Sequence, residues 1–161
     1  MYSGRLITEF IMWDLYGYIQ AKGNKTDPKV IVLDEVQNLD HREGSPLSKY
    51  LREGRKFGLS LILATQTMSN MKKDERDRMF NAEHKLFFRP ADTELRAFAE
   101  IAALATREKP DEWVRKLSSL SKGECYSIGP VLNPTGEKLV SKAHWCPVVE
   151  KINAVYRLIL K

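Results

Sequence analysis

Hydrophobic and polar positions change their period along the chain, and the changes mark its elements. Residues 4–21 (GRLITEFIMWDLYGYIQA) carry Leu6, Ile7, Phe10, Ile11, Trp13, Leu15 and Ile19, too many for one narrow helical stripe. A helix that is apolar on most sides belongs between a sheet and another element. Gly23 and Asn24 end it, and Asp27-Pro28 enforces an extended approach to the next segment. Residues 29–37 (KVIVLDEVQ) then set Val30 to Leu33 in an unbroken apolar run. Such a run without polar alternation predicts a strand covered on both faces.

A polar loop over residues 38–44 leads to Ser45, which caps a helix whose first residue is Pro46. The pattern carries this helix to about residue 57, with Gly58 placed to close it. Leu47, Tyr50, Leu51, Gly54 and Phe57 gather on one face, with Lys49, Arg52 and Lys56 opposite and Arg55 on the flank. Residues 59–65 (LSLILAT) repeat the buried-strand pattern and end at Gln66. Lys72, Lys73, Arg76 and Arg78 alternate with Asp74, Glu75 and Asp77 over a short helix at 72–80, as in a solvated helix. Residues 84–89 read as a third strand. A helix over 92–105 turns Leu95, Phe98, Ile101, Ala102 and Leu104 inward, and Pro110 starts another that runs to about 120. Strands at 123–128 and 138–145 join through a Pro/Gly turn at 133–136. Pro147 opens a final amphipathic helix with Val148, Ile152, Val155, Tyr156 and Ile159 on one side. The sum is an α/β chain without internal repeats.

Composition narrows the classes. An apolar share of 43% and a charged share of 29% over 161 residues suit a single soluble domain with a real core. No apolar run reaches the roughly 20 residues of a membrane span, and Arg5 and Glu9 interrupt any signal-peptide core. Cys125 and Cys146 have no CxxC spacing, so they read as reduced thiols of a cytoplasmic protein. His41, His84 and His144 are dispersed and suggest neither a metal site nor a triad, and the Trp and Tyr residues read as core. The net charge of +5 is concentrated in residues 41–90, which hold 11 basic and 6 acidic groups. That suits a polyanionic partner, although an excess of five is also common in proteins that bind none.

The candidate chemistry lies at Asp34 and Glu35, which end the first strand. Ligands of open α/β sheets bind at the carboxyl ends of strands. Two acids there suit phosphate chemistry, one holding Mg²⁺ through its water shell while its neighbour polarises the attacking water. The alternative is a buried strand followed by an acidic turn. Arg55 has two readings of its own: part of a solvated basic face, or an arginine able to reach across a subunit boundary.

LDEVQNL followed by LREGRKFGLSLILATQ resembles the second half of an ATPase of the HerA–FtsK superfamily, the DNA-pumping branch of the RecA-like P-loop fold. The order that carries the resemblance is a strand ending in DE, a helix ending in REGRKFG and a strand ending in ATQ, over residues 30–66. Residues 7–20 and 29–39 are also similar to HerA-like ATPases of phosphorothioation-dependent restriction systems. The resemblance implies a mostly parallel central sheet with helices on both faces, followed by the C-terminal strand pair and helix. It implies ATP and Mg²⁺ as cofactors, DNA as partner and a homo-oligomeric ring without membrane attachment. Asp34 then matches the Walker B aspartate that positions Mg²⁺, and Glu35 the glutamate that orients the hydrolytic water. Gln66 matches the polar sensor of the γ-phosphate. Arg55 matches the arginine sent into the neighbouring subunit's site, with Arg52 as second choice.

One part of that pattern is missing. No GxxxxGK[ST] occurs in the 161 residues, and that loop supplies the amides and lysine that hold the β- and γ-phosphates. The expectation is a C-terminal segment of a larger ATPase, poor at binding nucleotide alone. Without the loop's strand a long apolar sheet edge is left bare, which predicts self-association or a covering partner. The rival is a non-catalytic RecA-like regulatory or assembly module. DEVQ also resembles the DExQ of superfamily 1 helicases, but ATQ after LSLIL departs from the GDxxQ those proteins carry. A plain nucleic-acid-binding domain would rest on the basic middle third alone, with no DNA-reading motif in support.

Overall fold

The computed structural model describes the backbone of residues 2–132 and 138–147, and side chains within residues 4–129. The turn expected at 133–136 and the helix expected after Pro147 lie outside the described residues. The chain divides into two compact units, residues 1–79 and 80–161.

In the first unit helix α1 (Tyr2–Lys22) precedes strand β1 (Lys29–Leu33), and a 3₁₀ turn (Val36–Asn38) comes after it. Helix α2 (Pro46–Glu53) then continues through a second 3₁₀ turn (Gly54–Phe57) into strand β2 (Leu59–Leu63), and α3 (Lys73–Phe80) comes last. β1 and β2 pair in parallel with Lys29 beside Leu59 and Leu33 beside Leu63, so both strands stop at the same level. α2 is the crossover that makes this possible, because parallel neighbours cannot be joined by a tight turn. Its start follows the sequence: Ser45 Oγ accepts from the Ser48 amide at 3.2 Å, and Pro46 occupies the first turn. Gly58 closes the crossover at φ 76°, and a Cβ there would lie 2.3 Å from the Asn24 carbonyl oxygen. Only glycine meets both demands.

Met12, Tyr16 and Ile19 of α1 form the core with Leu47, Tyr50 and Leu59, backed by Ile31, Leu33, Leu61 and Leu63 of the sheet. Two hydroxyls lock α1 to α2. Tyr50 donates to the Met12 carbonyl at 2.5 Å and Tyr16 to Glu53 Oε2 at 2.7 Å. Burial pushes the Tyr50 hydroxyl up to about 12, and the bond from Tyr16 holds Glu53 below the usual carboxylate range.

The two-sided covering expected of β1 and of α1 is seen on one side only. Val30, Val32 and Ile62, which share the sheet face away from this core, are 59%, 64% and 55% exposed. Leu6, Ile7, Phe10 and Ile11 of α1 are likewise exposed, as is Trp13 in part. Periodicity selects the faces that want cover. Among the described residues only one face of each element meets a neighbour. Both outer edges of the pair also lack a partner strand among the described residues.

The second unit is an antiparallel sheet in the order β3 (Lys85–Phe88), β4 (Glu124–Leu132), β5 (Lys138–Pro147), with α4 (Leu95–Thr106) and α5 (Pro110–Ser118). Phe87, Ala99, Ala102, Ala103, Trp113, Leu117, Leu120 and Ile128 make its core. Trp113 is fully buried with its Nε1 donating to Thr106 Oγ1 at 2.8 Å, which satisfies the one polar atom of the ring. Leu104, expected inward, is 82% exposed. At about 100° per residue it falls outside the arc set by Ala99, Ala102 and Ala103, whose small side chains permit close helix packing. No described helix is long and apolar enough to cross a membrane.

Ser45→Ala removes the α2 cap from a buried site and is expected to cost about 1 kcal/mol. A urea titration should show a lower midpoint with an unchanged slope.

Candidate functional site

The common end level of β1 and β2 brings two loops side by side. The ladder closes with the Ala64 amide donating to Leu33 O at 2.9 Å and the Val36 amide to Ala64 O at 3.1 Å. Asp34 and Glu35 are the two residues between these rungs. Glu35 takes a left-handed conformation, φ 52° and ψ 42°, which costs a non-glycine residue about 1–2 kcal/mol. Asp34 Oδ1 accepts from the Glu35 amide at 2.8 Å and steadies this turn. Val36, wholly buried, anchors it from the other side.

The Glu35 carboxylate is gripped by two amides. Gln66 Nε2 donates to one oxygen and Gln37 Nε2 to the other, both in close contact. Gln37 is itself oriented, because its Oε1 lies 2.6 Å from Thr65 Oγ1, which donates to it. Thr65 Oγ1 also lies 2.8 Å from the Thr67 carbonyl, so its single proton has two acceptors in reach. Asp34, Glu35 and Gln66, separated by up to 32 positions in sequence, thus meet at one strand edge.

The loop beyond is braced by polar contacts. A carbonyl can only accept, so His41 Nε2 donates to Val36 O, at 2.7 Å; His41 is a buried, satisfied histidine. Asp40 receives hydrogen bonds from the Arg42 side chain, which lower its carboxyl to about 2 against the opposing effect of burial.

The two arginines singled out by sequence lie elsewhere in this unit. Arg55 sits in the 3₁₀ turn before β2, at the opposite end of the strands from Glu35. From Gly58 to Ala64 the strand path is about 20 Å at 3.3 Å per residue, longer than an arginine side chain. Arg55 therefore cannot serve the Glu35 of its own chain. Its guanidinium is exposed and makes no ion pair or hydrogen bond among the described residues. Arg52 pairs with Glu43 at 2.9 Å on an exposed surface.

Asp34 is exposed, and its Oδ2 has no protein partner among the described residues. A carboxylate oxygen facing solvent is the hard donor that Mg²⁺ accepts, usually with waters and phosphate oxygens completing the shell. Among the described residues no group of three or more His, Cys, Asp or Glu could hold a metal unaided. No described residues around Glu35 supply the glycine-rich amides or the lysine that a triphosphate requires. The donor set fits Mg²⁺ delivered with phosphate, and the phosphate grip is not among these side chains.

Sequence reading passed over Gln37 and Thr65. The first was legible as the fourth residue of DEVQ, two positions from Glu35; the second carries no local signal, since its role depends on the pairing of β1 with β2.

No protein-family model matches the chain, and no curated protein matches its sequence. Among solved structures, the genome packaging NTPase B204 from Sulfolobus turreted icosahedral virus 2 in complex with AMPPCP is similar with a TM-score of 0.53. Identity is 18%, over 83% of this chain and 61% of that one. A second structure of that NTPase, in complex with ATP-gammaS, gives a TM-score of 0.43 at 19% identity, over 70% of this chain and 51% of that one. This chain thus spans about three fifths of the neighbour's length. At such identity the likeness concerns the fold alone, an α/β arrangement shared with that NTPase.

Proposed function

We propose that this chain carries the acid-and-sensor part of an ATP-hydrolysing motor of the HerA–FtsK type, acting on DNA as a homo-oligomeric ring. The reading rests chiefly on one observation: the Glu35 carboxylate is held by the Gln66 amide, with Asp34 adjacent, across the ends of two parallel strands. Asp34 would hold Mg²⁺ through water, Glu35 would orient the attacking water, and Gln66 would contact the γ-phosphate. Bound Mg²⁺ would supply neutralisation of charge on the β- and γ-phosphates. Phosphoryl transfer asks mainly for positioning and electrostatic stabilisation, and these groups can provide that without covalent chemistry. Arg55, with Arg52 as second choice, would enter the neighbouring subunit's site. The genome-packaging neighbour fits a motor that moves nucleic acid, and the wording of residues 29–39 favours the restriction-associated HerA-like branch.

In this reading the grip on the triphosphate would be supplied by residues other than these 161, which contain no GxxxxGK[ST]. The same fact favours the second reading, a RecA-like module that regulates or assembles without hydrolysis. Phosphate release from ATP by the native gene product, with and without DNA, separates the two. Magnesium-dependent release is expected from the native protein, and negligible release from residues 1–161 alone. A native protein that neither binds nor cleaves ATP would establish the non-catalytic module.

A further inference from the structure

The two amides on Glu35 are not equivalent. Gln66 is exposed and its amide has one tie, to Glu35 Oε1. Gln37 is half-buried and has two, donating to Glu35 Oε2 and accepting from Thr65. With its carbonyl fixed by a hydroxyl, the Gln37 amide must present its NH₂ to the carboxylate, so its orientation is set by Thr65. The Gln66 side chain can leave for a new acceptor without disturbing anything else described. Gln37 cannot.

We propose that Gln37, oriented by Thr65, is a positioning residue that keeps Glu35 in place when Gln66 releases it for the phosphate side of the site. The proposal depends on the ATPase reading of this same site. It assigns the two contacts different jobs. While Gln66 stays on Glu35, both carboxylate oxygens are engaged and the sensor is occupied. Transfer of Gln66 to an incoming phosphate oxygen frees one oxygen of Glu35 to accept from water. The other oxygen stays on Gln37, so the carboxylate does not swing in its left-handed turn. Thr65 and Gln66 are adjacent at the end of β2, so movement of the sensor and of the anchor's support is coupled through one peptide. The alternative acceptor at Thr67 O gives the Thr65 proton a second resting place. Donation there would loosen Gln37, and so β2 can adjust the hold on Glu35 as well as supply the sensor.

The test is steady-state ATP hydrolysis by the native protein and its Gln37→Ala, Thr65→Val, Thr65→Ser and Gln37→Ala/Thr65→Val variants, with melting temperatures measured alongside. Gln37→Ala and Thr65→Val are expected to lower kcat about 10- to 100-fold, as loss of residues that orient functional groups does, with KM for ATP nearly unchanged. Thr65→Ser keeps the hydroxyl and is expected to stay close to wild type. The double variant is expected to be no slower than Gln37→Ala, because residues acting in series are not additive. If wild type hydrolyses ATP and a folded Gln37→Ala variant does so equally well, the proposal fails while the ATPase reading stands. Multiplying effects in the double variant, or a Thr65→Ser as slow as Thr65→Val, also overturn it. Absence of hydrolysis in the wild type overturns the ATPase reading and this inference with it.

Discussion

Glu35→Gln is expected to lower ATP turnover by the native protein by a factor on the order of 10²–10⁴, the range associated with a positioned general base. The substitution preserves shape and leaves Asp34 in place, so ATP binding should change little. It removes the negative charge that, in the proposed function, would orient a water, and it also disturbs the local pattern of donors. The carboxylate now accepts from two amides, Gln66 and Gln37. An amide at position 35 has one acceptor oxygen and would set its own NH₂ against one of those donors. Gln66, with a single tie, is the partner expected to turn away, while Gln37 stays with Thr65. Single-turnover hydrolysis measured beside nucleotide binding checks this. Normal turnover in the variant would remove Glu35 from the chemistry.

Arg55→Ala is expected to cost about 10³-fold or more in turnover, the lower range for an arginine that neutralises transition-state charge. Geometry within one chain already excludes a role in cis. Arg55 leaves the fold before β2 begins, and Glu35 stands beyond the far end of the same sheet. An arginine that is exposed, without a polar partner among the described residues, and placed at the end opposite the acids suits a head-to-tail contact between copies. Mixing the inactive Arg55→Ala and Glu35→Gln proteins should therefore restore activity. Some interfaces would combine an intact Glu35 from one subunit with an intact Arg55 from the next, about a quarter of them if mixing is random and contacts are head-to-tail. A mixture that remains as inactive as its components would exclude the trans role. Arg52→Ala is the comparison, since its partner Glu43 lies on the same surface and its loss should be milder.

The local elements were legible because their causes are local. The run from Val30 to Leu33, rich in β-branched residues and preceded by Asp27-Pro28, favours a strand through local causes, and Asp34 and Glu35 come after it in the chain wherever it packs. Ser45, Pro46 and Gly58 bracket α2 and its 3₁₀ extension through capping and backbone freedom that depend on neighbours in sequence. The resemblance implied that Gln66 and Glu35 belong to one site, but not that the Gln66 amide would bind the Glu35 carboxylate, and no periodicity could have placed Thr65 against Gln37. Those contacts depend on the register that sets Leu33 beside Leu63, a pairing made between strands 30 residues apart and closed through α2. The left-handed turn at Glu35 is likewise a product of the rungs on either side of it.

Cover was the other matter that pattern left open. Hydrophobic spacing tells which residues share a face, and the face it drew through Leu47, Tyr50, Leu51 and Phe57 is the one that meets the core. It could not tell that Val30, Val32, Ile62 and the outer face of α1 would stand exposed, or that Leu104 would fall outside the α4 stripe. It did not reveal that Lys85–Phe88 would pair with β4 in an antiparallel sheet. Local sequence selects an element and its faces through steric and capping effects acting over a few residues. The partner of each face and edge is chosen by contacts distant along the chain, whose free energy appears only when the whole surface is assembled.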